Sequence, residues 1–118
     1  MRGTILVVDD DDDIREAMMS ALEDEGYAVT GASNGRDALA QLPRLAHPCL
    51  VLLDLMMPIM SGAELAACMQ QDPTLASIPI VIVSAWSKEA DRVEAAQARL
   101  TKPVDLKRLL DTVDRFCA

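Results

Sequence analysis

Five polar side chains at the ends of apolar runs could together perform chemistry. Asp54 follows the most apolar run of the chain, Asp9 and Asp10 follow another, Ser84 ends a third, and Lys102 follows a short fourth. The carboxyl ends of parallel strands meet at one edge of a sheet, so these side chains are expected to lie together. Three carboxylates suit a magnesium ion, which prefers oxygen ligands. With a hydroxyl and an amine beside them, the set suits phosphoryl transfer onto a carboxylate.

The same residues also have plainer interpretations. Ser84 alone would be an ordinary strand-end residue, and Lys102 with Pro103 would be a turn, so both gain weight only from the whole set. Asp9 and Asp10 are different, because two acids that end a buried strand are poor choices for stability. The functional interpretation is therefore favoured for the acids.

The spacing of apolar residues predicts alternating strands and helices. Short apolar runs predict strands over residues 5–8, 28–31, 49–53, 80–83 and 100–101. Helical patterns lie between and after them, the fourth over residues 88–98. Nearly continuous apolar strands separated by helices predict an α/β fold with an open, doubly wound parallel sheet covered on both faces.

Several helix ends carry capping signals. Asp12 or Asp13 is predicted to cap the first helix, and Asp11 is expected to be peripheral to the metal site. Ser61 and Glu64 have the spacing of a capping box. The last helix is predicted to begin after a cap at Asp105. Its predicted buried side consists of Leu106, Leu109, Leu110, Val113 and Phe116.

Composition limits the possible partners and surroundings. The chain of 118 residues is long enough for one domain, and its net charge of −8 argues against direct binding of nucleic acid. No apolar stretch is long enough for a membrane span, and no signal-peptide pattern is visible, so a cytoplasmic location is expected. Cys49, Cys68 and Cys117 are odd in number and share no short spacing, which predicts buried thiols rather than a disulfide or a zinc site.

Four segments, in the order VVDDDDDIR, LLDLMMPIMSG, VIVSA and LTKPVD, give the chain a family resemblance over its whole length. It resembles the receiver domain of two-component response regulators. The resemblance implies a (βα)5, flavodoxin-like fold with strand order 2-1-3-4-5. It also implies that residues 1–118 form a single receiver domain without an output domain.

The resemblance assigns a role to each acid. Asp54 is expected to be the phosphorylation site, and Asp9 and Asp10 are expected to hold Mg²⁺ together with Asp54 and the backbone carbonyl of Met56. The phosphoryl donor is expected to be a phosphohistidine of a histidine kinase or a phosphotransfer protein. Such a chain is a signalling phosphoacceptor that catalyses only its own phosphorylation and dephosphorylation.

The resemblance also assigns roles in binding the phosphoryl group and in docking to a downstream protein. The resemblance implies that Ser84 donates a hydrogen bond to the phosphoryl group and that Lys102 pairs with it. The expected docking surface for a downstream protein is formed by the fourth helix, the last strand and the last helix, including Arg99, Lys107 and Arg108. Arg99 stands where most receivers have Tyr or Phe, which puts the usual coupling of phosphate to output in question. The segment before Lys102 is also short, so a shortened or shifted fourth helix is expected.

Three alternatives compete with a phosphoacceptor. The first is a receiver-like interaction module that works without phosphorylation, which Arg99 would favour. The second is a phosphatase of the haloacid dehalogenase type, but that class needs an Asp where Met56 stands. The third is a flavodoxin-like electron carrier, whose phosphate loop would be opposed by the five acids at residues 9–13.

Overall fold

One parallel sheet of five strands organises the chain, in the order β2-β1-β3-β4-β5. The computed structural model describes residues 3–85 and 93–117. The strands are β1 Thr4–Val8, β2 Ala28–Ala32, β3 Pro48–Leu53, β4 Ile80–Ser84 and β5 Ala98–Thr101. The doubly wound, flavodoxin-like sheet predicted from the sequence is confirmed.

Helices follow the strands in the described part of the chain. They are α1 Asp12–Asp24, α2 Gly35–Gln41 with a 3₁₀ turn Leu42–Arg44, α3 Gly62–Gln71, and α4 Leu106–Cys117. None of the helices within residues 3–85 and 93–117 is long and apolar enough to cross a bilayer.

The helix predicted over residues 88–98 is only partly testable. Residues 88–92 lie outside the described residues, and for residues 93–98 the prediction is wrong. There the amide of Gln97 donates to the carbonyl of Ile80 at 2.7 Å, and Ala98 pairs with Val81 as β5 begins. Pairing with β4 therefore overrides the helical preference of the alanine-rich segment.

The two faces of the sheet bury different helices. Alternate strand residues point to opposite faces, which splits the core in two. Leu6 and Leu53 pack with residues of α2 and α3 such as Leu65. Ile5 and Leu52 lie in the second cluster, which packs against α1 and α4. Both faces are thus covered, as the continuous apolar strands required.

The helix caps agree in part with the sequence. The capping box of Ser61 and Glu64 at the start of α3 is confirmed. The cap of α1 is Asp11, whose carboxylate accepts hydrogen bonds from the amides of Asp13 and Ile14, so the choice of Asp12 or Asp13 was wrong. In a run of five acids, local spacing does not distinguish the last extended residue from the first helical one.

The last helix buries fewer of its predicted residues than expected. Leu109 and Val113 are fully buried, and Leu110 and Phe116 are partly buried. Leu106 is 46% exposed, so its placement on the buried side was wrong. It is the first residue of α4 and borders a hollow that is lined also by Ile14.

The cysteines depart from the prediction. Cys49 and Cys117 form a disulfide, and Cys68 is a partly buried free thiol. The prediction of three buried thiols was therefore wrong for the pair. The sequence separation of 68 residues gives no sign that the end of α4 lies against the start of β3.

Candidate functional site

Backbone pairing places the predicted site residues at one edge of the sheet. The amide of Asp9 donates to the carbonyl of Ala32 at 3.1 Å, and the amide of Asp54 donates to the carbonyl of Val8 at 2.9 Å. These bonds extend the ladder one residue beyond β1 and β3. Both acids are therefore held by the sheet itself rather than by a free loop.

Three carboxylates meet at this edge. One oxygen from each of Asp9, Asp10 and Asp54 lies within 4.8 Å of the others. Asp9 is fully buried and Asp54 is 6% exposed, whereas Asp10 is exposed. Burying acids is costly unless a cation compensates them, and oxygen donors at this spacing fit a divalent ion that keeps water on its open side. We define Asp9, Asp10 and Asp54 as the acid cluster.

Lys102 is the cation that the chain itself supplies. Its Nζ donates to Oδ2 of Asp9 at 2.7 Å and to Oδ2 of Asp54 at 3.2 Å. Burial lowers the pKa of Lys102, but the hydrogen bond to Asp9 and the charges of Asp54 and Asp9 outweigh it, so the pKa is raised above 10.5. Lys102 is thus charged at neutral pH. One positive charge against three carboxylates leaves a net negative site that suits a divalent cation.

Arg15 shapes the loop that carries two of these acids. Its Nη1 donates to the backbone carbonyl of Asp9 at 2.7 Å, and its Nη2 pairs with the carboxylate of Asp12 at 2.5 Å. The amide of Asp11 also donates to the carboxylate of Asp9 at 2.9 Å. Sequence reasoning gave Arg15 no role. The available signal was its position three residues after Asp12 on a helix, a spacing that brings two side chains together.

Glycine is required where α3 begins beneath the site. A Cβ added at Gly62 would lie 2.2 Å from the carbonyl oxygen of Asp54, closer than any side chain can approach. The amide of Gly62 donates to the carbonyl of Leu55 at 3.0 Å, which fixes α3 against the end of β3. Gly62 stands within the quoted LLDLMMPIMSG segment, but its spacing alone did not reveal this contact.

Ser84 and Met56 complete the set of predicted residues. Ser84 ends β4, is 4% exposed, and accepts the amide of Lys102 on its carbonyl at 2.9 Å. Within residues 3–85 and 93–117, no hydrogen bond joins the Ser84 hydroxyl to the acid cluster. The side chain of Met56 is 75% exposed, and the role of its carbonyl stays a prediction.

Arg99, which stands where the resemblance to receivers predicts Tyr or Phe, lies on the surface. The residue is exposed, and its guanidinium donates to the carbonyl of Val93 at 2.9 Å. It thus ties β5 to the segment that precedes it. Lys107 and Arg108 are exposed as well, on the first turn of α4.

Comparison with known proteins gives a consistent family match. The model of the response regulator receiver domain matches residues 5–114. Protein PilH of Pseudomonas aeruginosa is 36% identical, with 97% of each chain covered. A response regulator receiver protein from Pseudomonas putida has a TM-score of 0.89 at 31% identity, with 98% of each chain covered. Response regulator TrrA of Thermotoga maritima, solved in complex with Mg(2+)-BeF, has a TM-score of 0.84 at 32% identity, covering 96% of this chain and 97% of that one.

Proposed function

The chain belongs to the response regulator receiver domain family of two-component signalling, and we therefore propose that it is a phosphoacceptor whose acceptor is Asp54. The observation that carries the proposal is the meeting of Asp54, two further acids and Lys102 at one edge of the sheet. The donor we propose is a phosphohistidine of a histidine kinase or phosphotransfer protein. The site residues and their roles are part of this proposal.

In the proposed reaction, a carboxylate oxygen of Asp54 attacks the phosphorus of the donor. A P–O bond forms, the P–N bond to the donor imidazole breaks, and the imidazole nitrogen keeps the electron pair and takes up a proton. Lys102 neutralises charge on the incoming oxygens from the side where it already contacts Asp54. Ser84, at the end of the neighbouring strand, donates a hydrogen bond from its hydroxyl to a phosphoryl oxygen.

The acid cluster would hold the magnesium ion. Asp9, Asp10 and Asp54 supply hard oxygen donors, with the carbonyl of Met56 as a fourth, and the solvated side at Asp10 admits the ion and its waters. A metal bound there would reduce the repulsion between the acceptor carboxylate and the phosphoryl oxygens. The Mg(2+)-BeF complex of the Thermotoga relative supports this choice of metal.

The output we propose is altered docking to a downstream protein. The surface includes Arg99, Lys107 and Arg108, which are exposed and offer positive charge to an acidic partner in a chain that is otherwise acidic. We propose a cytoplasmic location and residues 1–118 as one receiver domain. The competing function is an interaction module that works without phosphorylation, and the polar contact of Arg99 with Val93 in place of a mobile aromatic residue favours it.

The test is intact mass after incubation with acetyl phosphate and magnesium. We expect the gain of one phosphoryl group in the wild type and in Asp13→Asn, an exposed acid near the site that serves as the control. Asp54→Asn should gain none, and chelation of magnesium should abolish the gain. A folded wild type that binds magnesium but is not phosphorylated would exclude the phosphoacceptor and favour the interaction module.

A further inference from the structure

We propose that Cys49 and Cys117 form a reversible thiol–disulfide site that exchanges with small thiols and disulfides of the glutathione class. Their Cα atoms lie 5.5 Å apart, at the most common distance for a disulfide, although 68 positions separate them in sequence. The fold therefore brings the start of β3 and the end of α4 to a distance that a disulfide spans. This site lies at the opposite end of β3 from Asp54, and it does not depend on the proposed phosphorylation.

The surroundings hold both sulfurs in place. Cys49 is the second residue of β3, and Cys117 ends α4 and is 8% exposed within the core cluster that this helix shares with the sheet. A Cβ added at Gly3 would lie 2.5 Å from the carbonyl oxygen of His47 and 3.2 Å from Sγ of Cys49, so glycine allows the chain to pass close to this cysteine. One turn before Cys117, the carboxylate of Asp114 accepts a hydrogen bond from the hydroxyl of Tyr27. The last turn of α4 is thus anchored at two points.

The two cysteines differ in access, which sets the order of the exchange. Cys49 is partly exposed, and it is the sulfur that an external disulfide can reach. Its thiolate attacks that disulfide, forms a mixed disulfide and releases one small thiolate. Cys117 then attacks the Cys49 sulfur and releases the second small thiolate. The protein loses two protons and two electrons, and the external disulfide becomes two thiols.

The disulfide changes how firmly the last turn of α4 is held. In the oxidised protein, the disulfide joins the end of α4 to the start of β3. When reduced, the last turn is retained by packing and by the bond between Tyr27 and Asp114. Closing a loop of this length restricts the unfolded chain strongly, so the oxidised form should melt roughly 10 °C higher. In a reducing compartment the pair rests as thiols, so oxidation would act as a signal or as protection.

The experiment counts reactive thiols and measures melting in reduced and oxidised glutathione. In Cys68→Ser, which keeps the pair and removes the free thiol, we expect the oxidised protein to lose two hydrogens by intact mass and to resist alkylation. Its melting temperature should fall on reduction, as in the wild type. Cys49→Ser and Cys117→Ser should show no such difference.

Two results would overturn the proposal. One is full alkylation of Cys49 and Cys117 in Cys68→Ser after equilibration with oxidised glutathione. The other is a disulfide that forms only between two molecules, seen as a dimer by mass without reductant. Neither result would affect the phosphorylation experiment, because that is read from the mass gain at Asp54.

Discussion

At the scale of single residues, Lys102 controls the charge balance of the acid cluster. It contacts both buried acids, Asp9 and Asp54, and no other hydrogen bond or ion pair to their carboxylates from a cationic side chain occurs in the described part of the chain. Two buried carboxylates without such a partner would be costly. Lys102 therefore has a structural role in the absence of metal as well as its proposed role in phosphoryl transfer.

This role predicts a specific pH dependence. The folded pKa of Lys102 is raised above 10.5, so its stabilising contribution is complete below the unfolded pKa and is lost as the pH rises through the higher folded pKa. In chelator, Lys102→Met should melt below the wild type at neutral pH, and the gap should narrow above about pH 10.5. Lys107→Met, at an exposed position, should show no such narrowing. A gap that stays constant into strong alkali would refute this linkage.

Arg15 is predicted to position the loop that carries Asp9 and Asp10 without itself binding the proposed metal. Arg15→Gln removes the donor to the carbonyl of Asp9, so the carboxylates of Asp9 and Asp10 lose a fixed orientation. Groups that orient metal ligands in this way are typically worth about tenfold or more in affinity. Calorimetric titration with Mg²⁺ should show weakening of this order for Arg15→Gln and none for Arg36→Gln, whose side chain is exposed on α2. An Mg²⁺ affinity of Arg15→Gln equal to that of the wild type would show that Arg15 does not position the metal ligands.

At the scale of elements, helix ends position the site more directly than helix interiors do. The capping box at Ser61 starts α3 soon after Asp54, and Asp11 caps α1 directly after Asp9 and Asp10. Each cap satisfies amides that would otherwise lack partners. The loops that carry the acids are thus short and held at both ends.

Removing the cap at Ser61 should therefore weaken the fold measurably. Ser61→Ala leaves the amide of Glu64 without its side-chain acceptor, and we expect the free energy of unfolding to fall by about 1 kcal/mol. Ser20→Ala, at an exposed interior position of α1, should have little effect or a small stabilising one, because alanine favours helix. Urea unfolding measures both. Equal values for the two variants would mean that the box contributes nothing.

At the scale of the whole molecule, two glycines are required for different reasons. Gly62 allows α3 to approach the carbonyl of Asp54, whereas Gly26 has a φ of 90° and no atom within 4 Å of an added Cβ. Gly62→Ala therefore forces two elements apart, and Gly26→Ala strains only a turn.

The two alanine variants should separate these effects. We expect Gly26→Ala to lower the free energy of unfolding by about 1–2 kcal/mol without changing Mg²⁺ affinity. Gly62→Ala should cost about 1–3 kcal/mol or more and should also weaken Mg²⁺ binding, because Asp54 must move. Urea unfolding and calorimetric titration test the pair. Unchanged Mg²⁺ affinity in Gly62→Ala would show that the close approach does not position Asp54.

The sequence by itself determined the sheet and the meeting of the site residues. Continuous apolar strands predict parallel pairing, and the carboxyl ends of such strands share one edge, so Asp9, Asp54 and Lys102 had to meet there. The local pattern also predicted the capping box at Ser61, because that motif is complete within four residues. These features depend on the spacing of apolar residues and on the order of the motifs, both of which can be read from the sequence.

Only the tertiary structure decided the contacts made across long separations. It set the limit of β5 at Ala98, the approach of Gly62 to Asp54, and the pairing of Cys49 with Cys117. None of these follows from local spacing, because each depends on where two elements stand after the core has packed. At residues 97 and 98, pairing with β4 overrides the helical preference of the alanine-rich segment, and that competition exists only once the sheet has formed.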